Sequence, residues 1–251
     1  MQESQVRELA GKVALVTGGS RGIGAGVVRR LAADGVSVAF TYVSSGTKAL
    51  ALVDEVKSAG GAAFAIKADS ASDIDLRNAV EHAVTKFGAL DIFVSNAGVL
   101  SIGEITTLKS EELDRALAIN VRAVVLGIQT AVAAMRDGGR IMTIGSVAAV
   151  RTGVPGASVY SMTKSALVGL VRGAAIDLAS RGITVNNIQP GPTETDMNPP
   201  DSPHADWLTK SIPLRRFGKD FEIASLVAYL ATKDAGFITG ASLTIDGGYV
   251  A

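Results

Sequence analysis

Short apolar runs rich in valine and isoleucine alternate along this chain with longer amphipathic stretches. The periodicity of the segments predicts strands for the short runs and helices for the stretches between them. Strands joined by helices predict βαβ units and a parallel sheet, because parallel neighbours need a long crossover. The runs are apolar throughout, so helices should cover both faces of the sheet. The sequence therefore predicts an α/β fold with a doubly wound parallel sheet of about seven strands.

Element boundaries follow from this alternation. The predicted strands are Val13–Thr17, Val36–Tyr42, Ala62–Lys67, Asp91–Val94, Arg140–Ile144, Thr184–Ile188 and Ser242–Ile245. The predicted helices are Ile23–Asp34, Thr47–Ala59, Ile74–Phe87, Ser110–Met135, Ser158–Ser180 and Phe221–Thr232. No repeat or linker marks a second domain, so we expect one domain over 1–251. It should carry an N-terminal extension at 1–10 and a proline-rich, irregular lid loop at 190–213.

Composition narrows the classes of partner and compartment. The 24 basic and 24 acidic residues give a formal net charge of zero, which argues against a nucleic-acid partner. The chain has no cysteine, which excludes disulfides and thiolate chemistry and is typical of a reducing compartment. It shows no signal-peptide pattern and no uninterrupted apolar stretch of about 18 residues. We therefore expect a soluble, cytoplasmic protein with no membrane partner.

A glycine-rich turn, Thr17–Gly24, follows the first predicted strand and opens the first predicted helix. Glycines at this place allow the backbone to approach a pyrophosphate, whose charge is met by N–H groups at the helix start. A plain glycine turn is the alternative, but the βαβ context favours a Rossmann-type dinucleotide site. The residues expected to line it are Gly18, Ser20, Arg21, Gly22, Ile23 and Gly24.

The end of the second strand decides which dinucleotide is expected. NAD-binding units usually place a carboxylate there, about 20 residues after the glycine turn, to hold the ribose 2′-hydroxyl. Here that segment, Tyr42–Ser45, has no carboxylate. Arg21 can offer a planar cation to a 2′-phosphate, with Tyr42, Ser44 and Ser45 beside it. NADP(H) is therefore favoured over NAD(H), although Arg21 could also be a solvated loop charge.

Two further segments follow predicted strands. Asp69 comes after the third strand and could accept a hydrogen bond from an adenine amino group, but Ser70–Asp73 reads equally well as a helix N-cap. The fourth strand is followed by three small residues, Asn96, Ala97 and Gly98. Small side chains there would let a cofactor lie across the strand ends, and a simple turn is the alternative interpretation.

Tyr160 and Lys164 stand one helical turn apart on a predicted helix, so their side chains share a face. A lysine ammonium near a phenol favours the phenolate, and we expect Lys164 to lower the pKa of Tyr160. A phenol tuned in this way could serve as a general acid or base near neutral pH.

Taken together, these motifs resemble the short-chain dehydrogenase/reductase family from about Gly11 to Gly248. The resemblance also uses Asn120, Ser146 and the run Pro190-Gly191-Pro192 with Thr193 and Thr195. Within the family the chain looks most like the 3-oxoacyl-(acyl-carrier-protein) reductase branch and its ketone-reducing relatives. The resemblance implies an NADPH-dependent enzyme that reduces a ketone or aldehyde, and a homotetramer with Phe237–Ala251 at a subunit interface.

The resemblance also implies residue roles. Tyr160 would donate a proton to the carbonyl oxygen as hydride arrives, and Ser146 would hydrogen-bond that oxygen. Lys164 would depress the tyrosine pKa and hold the nicotinamide ribose, while Asn120 would shape its helix and hold a proton-relaying water. Pro190, Gly191, Thr193 and Thr195 would lie against the cofactor.

Three departures from the family pattern bear on the substrate. Ser146 and Tyr160 are one position further apart than is usual in the reductase branch, and the extra residue falls in the loop Val150–Gly156. Ser95 replaces the asparagine that usually opens the Asn-Asn-Ala-Gly motif. Asp137 intrudes in the turn where carrier-protein reductases place basic residues, although Arg136 and Arg181 are present. A carrier-bound substrate is therefore doubtful, and free small ketones or aldehydes are at least as well supported.

The predicted lid carries apolar residues that could close over a hydrophobic substrate, namely Met197, Pro199, Pro200, Trp207 and Leu208. His204 is a candidate substrate contact, although a solvated surface histidine is the better-supported interpretation. No cluster has metal-ligand spacing. The alternative function left open is a non-catalytic protein of the same fold that binds NADP(H) or another nucleotide and acts as a regulator.

Overall fold

Seven strands form the sheet in a computed structural model that describes residues 8–199, 201 and 205–251. They are β1 Val13–Val16, β2 Ser37–Tyr42, β3 Ala62–Lys67, β4 Leu90–Ser95, β5 Met135–Ile144, β6 Thr184–Pro190 and β7 Ser242–Ile245. All neighbours pair in parallel, in the order β3-β2-β1-β4-β5-β6-β7. The predicted α/β doubly wound sheet is confirmed.

Helices connect these strands and cover both faces. They are α1 Gly22–Ala33, α2 Gly46–Ser58, α3 Asp73–Phe87, α4 Ser110–Leu117, α5 Ala123–Ala134, α6 Ser158–Leu178, α7 Ala205–Ser211 and α8 Asp220–Ala231. A π-helical segment, Ala118–Arg122, joins α4 to α5, and short 3₁₀ turns form at Val147–Ala149 and Ala179–Arg181.

Side chains alternate between two apolar cores along each strand. In β1, Val16 packs on one face with α1, α2 and α8, whereas Leu15 packs on the other with α3, α5 and α6. Both residues are buried, and burying a side chain of this size contributes about 1.5–3 kcal/mol. Continuous apolar strands are required because each face meets a layer of helices.

The sheet is built outward in two directions from its centre: β2 and β3 follow β1 on one side, and β5, β6 and β7 follow β4 on the other. The strand order therefore reverses between β1 and β4. A crevice forms outside the carboxyl ends of the two strands at such a switch point. Thr17 follows β1 and Asn96 follows β4. The glycine turn and the Asn96–Gly98 segment therefore meet at one edge of the sheet.

Three predictions differ from the structure by more than one or two residues at the end of an element. The strand predicted from Arg140 begins at Met135, and a register shift between Leu90 and Ile92 absorbs the Gly138 turn, whose φ is +75°. The helix predicted over Ser110–Met135 contains the π-helical segment. The lid predicted as irregular contains α7, and its first residue, Pro190, ends β6.

The continuous helical stretch Ser110–Ala134 is long and apolar enough, by length and composition, to cross a membrane. In the described part of the chain, Val124, Ile128 and Ala131 of this stretch pack in the sheet core. A core helix of a globular protein meets the same criterion.

Candidate active site

The glycine turn is compressed against its neighbours in a way that only glycine allows. Gly18 and Gly22 have φ of +65° and +52°, in the left-handed region that side chains disfavour. A Cβ added at Gly24 would lie 2.4 Å from the Gly18 carbonyl oxygen and 2.5 Å from Asn96 Nδ2. The start of α1 is thereby drawn tightly onto the carboxyl ends of β1 and β4.

Asn96 and Thr17 hold this turn in place. Asn96 Nδ2 donates to the carbonyl oxygens of Thr17 at 2.9 Å and Gly18 at 3.0 Å. Thr17 Oγ1 in turn accepts from the backbone N–H groups of Asn96 and Ala97 at 3.0 and 3.1 Å. Asn96 is predicted to bind a cofactor. In the structure its side-chain N–H groups instead hydrogen-bond the glycine turn and position it.

The helix starts near the turn carry no acidic residue, a property that they share with α5 and α6. In the described chain, α1 and α2 have no acidic residue in their first turns and no side-chain cap. By contrast, α3, α4 and α8 each carry two carboxylates in the first turn. Carboxylates at a helix start meet the positive end of its dipole. The glycine cradle and the uncapped start of α1 fit the pyrophosphate of a dinucleotide.

Arg21 stands at the N-cap of α1 with its guanidinium half exposed. Its Nη1 lies 3.8 Å from Oδ2 of Asp196, and Lys48 Nζ lies 2.6 Å from the same oxygen. Ser44 is exposed and Ser45 is half-buried, after the end of β2. Lys48 and Asp196 were not predicted as site residues. Lys48 was visible as a cation in the first turn of a helix, where anions are preferred.

Asp69 lies in the turn before α3. Its Oδ1 accepts from Ala71 N at 2.9 Å, and its backbone N–H donates to Asp75 at 2.8 Å. Ser72 supplies the N-cap of α3, accepting from Asp75 N at 3.2 Å. The N-cap interpretation therefore applies to Ser72, and the exposed Asp69 keeps a carboxylate oxygen for an adenine amino group.

Asn120 lies in the π-helical segment Ala118–Arg122, where its side chain is buried. It is 1% exposed, and its Nδ2 donates to Val99 O at 2.9 Å and Thr163 Oγ1 at 3.1 Å. Its Oδ1 accepts from Val99 N at 2.9 Å. These bonds tie the segment after β4 to α6, on which Tyr160 and Lys164 sit.

Lys164 is buried beneath Tyr160. Its Nζ donates to Ile144 O at 2.9 Å and lies 5.7 Å from the centroid of the Tyr160 ring. Burial lowers the pKa of Lys164 to about 8, because a charged amine is poorly solvated there.

Burial also raises the pKa of Tyr160, and an interaction with Ser146 only partly opposes the rise. The expected lowering of the Tyr160 pKa by Lys164 is therefore wrong for this structure, because desolvation of the phenolate dominates. Ser146 itself is the N-cap of the 3₁₀ turn, its Oγ accepting from Ala148 N at 3.1 Å.

Gly98 links the glycine turn to this cluster. A Cβ added there would lie 3.4 Å from Asn120 Oδ1 and 3.5 Å from Lys164 Nζ. The structure thus brings the predicted nucleotide residues and the predicted catalytic residues to one continuous edge of the sheet.

The first part of the lid returns to the glycine turn. Thr193 Oγ1 donates to Gly191 O at 2.9 Å, and Gly191 N donates to Ile245 O at 2.9 Å. A Cβ at Gly22 would lie 3.2 Å from the methyl carbon of Thr195. Thr195 therefore contacts the predicted pyrophosphate turn directly, whereas Pro190 and Gly191 belong to the carboxyl ends of β6 and β7.

The loop Val150–Gly156 is held by the C-terminal segment. Arg151 Nη1 donates to Tyr249 O at 2.9 Å, and its guanidinium lies 5.0 Å from the centroid of the Tyr249 ring. A Cβ added at Gly153 would be 2.0 Å from the Tyr249 hydroxyl. The buried ring also packs with Val147, Ala205, Ile212 and Phe217. No local sequence pattern indicates this contact.

Lid side chains are partly accessible. Met197 is 45% and Trp207 is 52% exposed, and Leu208 packs against the Tyr249 cluster. Pro200 and His204 lie outside the described residues. Among the residues that the structure does describe, no group of His, Asp and Glu could hold a metal ion.

The predicted carrier-docking cations are engaged within the chain. Arg181 Nε lies 2.8 Å from Asp137 Oδ1, and its Nη1 donates to Val132 O at 2.9 Å, at the end of α5. Arg136 lies 3.6 Å from the buried carboxylate of Asp91. Both cations therefore have an anionic neighbour on this face.

Comparison with known proteins gives consistent matches over nearly the whole chain. A family model described as enoyl-(acyl carrier protein) reductase matches residues 18–250. The cyclic-di-GMP-binding biofilm dispersal mediator protein of Escherichia coli (strain K12) is 45% identical, covering 95% of this chain and 97% of the relative. A 3-oxoacyl-[acyl-carrier-protein] reductase FabG of Staphylococcus aureus is 40% identical, covering 94% and 97%.

Solved structures agree. A short-chain dehydrogenase/reductase from Serratia marcescens superposes with a TM-score of 0.96 at 55% identity, covering 98% of this chain and 100% of the other. A short chain dehydrogenase from Burkholderia cenocepacia, solved in complex with NADP, gives 0.95 at 46% identity with the same coverage.

Proposed function

The chain belongs to the short-chain dehydrogenase/reductase family, and on this premise we propose that it reduces a ketone or aldehyde carbonyl to an alcohol. It is an NADP(H)-dependent oxidoreductase, as its match to a relative solved with NADP supports. The observation that carries the proposed reaction is the position of Tyr160 over the buried Lys164, at the sheet edge that also holds the glycine turn.

In the proposed reaction, bound NADPH supplies the hydride to the carbonyl carbon. Tyr160 donates its phenolic proton to the carbonyl oxygen, and Ser146 hydrogen-bonds that oxygen as negative charge develops on it. Lys164, whose pKa is about 8, is mostly protonated at neutral pH and stabilises the phenolate left after proton donation. A proton from solvent then restores Tyr160, which balances the reduction.

Free small ketones or aldehydes are the proposed substrates. Arg181 is paired with Asp137, and Arg136 shares Asp91 with Lys12, so carboxylates on this face offset part of the positive charge that would attract an acidic carrier protein. Met197 and Trp207 supply partly exposed apolar surface on the lid. These features favour a hydrophobic substrate that reaches the site without a carrier.

A substrate panel tests the proposal. Initial rates of NADPH oxidation are measured with activated ketones, aromatic aldehydes, a 3-oxoacyl thioester and the same acyl group on carrier protein, each repeated with NADH. We expect turnover of free ketones with NADPH, slower turnover with NADH, and no gain from the carrier. Absence of turnover across the panel, with NADPH bound, would contradict the proposed reaction.

A nucleotide-binding regulatory role is the second candidate. It is favoured by the 45% identity to an Escherichia coli protein named for binding cyclic di-GMP. Titration of the wild-type protein with cyclic di-GMP, with and without NADPH, tests it. Micromolar binding together with no carbonyl turnover would support this role over the enzymatic one.

We also propose a cytoplasmic homotetramer that uses Phe237–Ala251 at an interface. The Phe237 side chain is fully exposed in the single chain, as a residue covered by another subunit would be.

A further inference from the structure

The lid presents one carboxylate to the glycine turn from a closed turn of its own. Asn198 N donates to Thr195 O at 3.0 Å, and Asn198 Nδ2 donates to Thr193 O at 3.2 Å. Thr195 meanwhile packs against Gly22. Asp196 is therefore held beside Arg21 by contacts on both sides of it.

Two cations share this carboxylate. Asp196 Oδ2 lies 2.6 Å from Lys48 Nζ and 3.8 Å from Arg21 Nη1. The Lys48 hydrogen bond and the charges of Lys48 and Arg21 lower the pKa of Asp196, so it is ionised at neutral pH. All three side chains are about half exposed, at 58%, 54% and 47% for Lys48, Arg21 and Asp196, so a ligand can reach them.

The position of the pair matches the 2′-phosphate of NADP(H). Arg21 caps the first helix beside the pyrophosphate turn, and Lys48 lies in the first turn of α2, just after Ser44 and Ser45. A phosphomonoester carries about −1.5 to −2 charges at pH 7, which two cations can balance. The single carboxylate of Asp196 balances the charge of only one of these two cations.

Resting on the proposed use of NADP(H), we propose that Lys48 and Arg21 together bind the 2′-phosphate, and that Asp196 is the lid counter-ion which this phosphate displaces. Exposed ion pairs are weak, so the exchange is easily reversed. Asp196 then lowers the affinity for NADP(H) without affecting NAD(H), and the 2′-phosphate releases the lid turn from the cations.

Calorimetric titration with adenosine 2′,5′-bisphosphate and with 5′-AMP tests the exchange without turnover. Asp196→Asn should increase the affinity for the bisphosphate about two- to fivefold, which corresponds to the loss of one competing exposed ion pair. Lys48→Ala should weaken it about tenfold, because a charge-assisted hydrogen bond is lost. Neither change should alter 5′-AMP binding more than about twofold.

Matched controls are available nearby. Glu194→Gln removes a lid carboxylate that pairs instead with Lys219, at 2.5 Å. Lys57→Ala removes a cation from the far end of α2. Neither should change binding of the bisphosphate.

Unchanged or weaker bisphosphate binding by Asp196→Asn would overturn the exchange, while a wild-type preference for the bisphosphate over 5′-AMP would leave the NADP(H) assignment intact. Equal affinity of the wild type for both probes would overturn the cofactor assignment and the exchange together.

Discussion

Burial shifts the pKa values of Tyr160 and Lys164 in opposite directions. It raises the pKa of the phenol and lowers that of the amine to about 8, because burial disfavours the charged form of each group. Sequence spacing alone indicates a charged lysine that lowers the tyrosine pKa. The depth of the pair could not be anticipated, because it arises from packing by several distant segments.

The shift of Lys164 predicts a pH dependence of stability. Below pH 8 the lysine is protonated in both folded and unfolded chains, and the folded state bears the cost of the buried charge. Between pH 8 and about 10.5 only the unfolded chain holds the proton, so stability rises with pH. Relative to Lys164→Met, the wild-type free energy of unfolding should rise by about 2 kcal/mol from pH 7.5 to 9.5.

Denaturant unfolding at a series of pH values measures this difference. The series stops below pH 10 because the raised pKa of Tyr160 has the opposite effect above it, where the unfolded phenol ionises first. A difference between the two proteins that stays flat or falls over this interval would disprove a depressed Lys164 pKa.

At the scale of elements, three segments that are remote in sequence are joined at Tyr249. The C-terminal segment holds the loop Val150–Gly156 through Arg151, and its ring packs against α7 and the turn after Ser146. The proposed substrate side of the site therefore depends on the last residues of the chain.

We expect Tyr249→Ala to raise KM for a ketone about tenfold, because it removes the cation–π contact and the packing beneath the loop. The Kd for NADPH should stay within about twofold. Tyr249→Phe, which retains the ring, should restore most of the loss. Steady-state kinetics and cofactor titration separate these effects. An equal loss of NADPH affinity would instead indicate a general disruption of the fold.

Elements that are encoded by a local sequence pattern could be predicted, whereas contacts between distant segments could not. The strands and long helices were predicted to within a few residues because their apolar patterns are continuous, except that β5 begins five residues early, at Met135. The short helix α7 was missed since seven residues give too little periodicity. The Arg151–Tyr249 and Lys48–Asp196 contacts span 98 and 148 positions, and no local pattern signals them.

At the scale of the whole molecule, the strand order places cofactor chemistry and proton chemistry on one edge. The glycine turn follows β1, Asn96–Gly98 follows β4, and Ser146 follows β5. Because all strands are parallel, their carboxyl ends converge, and this convergence could be predicted from the alternating pattern alone. The π-helical turn at Asn120 and the lid counter-ion at Asp196 required the structure.

The central claim is that Tyr160 donates the proton in an NADPH-dependent carbonyl reduction, and Tyr160→Phe tests it most directly. The variant keeps the ring over Lys164 and loses only the hydroxyl. NADPH oxidation with the best ketone of the panel should fall by about 10²- to 10⁴-fold, with the Kd for NADPH within about twofold of wild type. Turnover within about tenfold of wild type would contradict the claim.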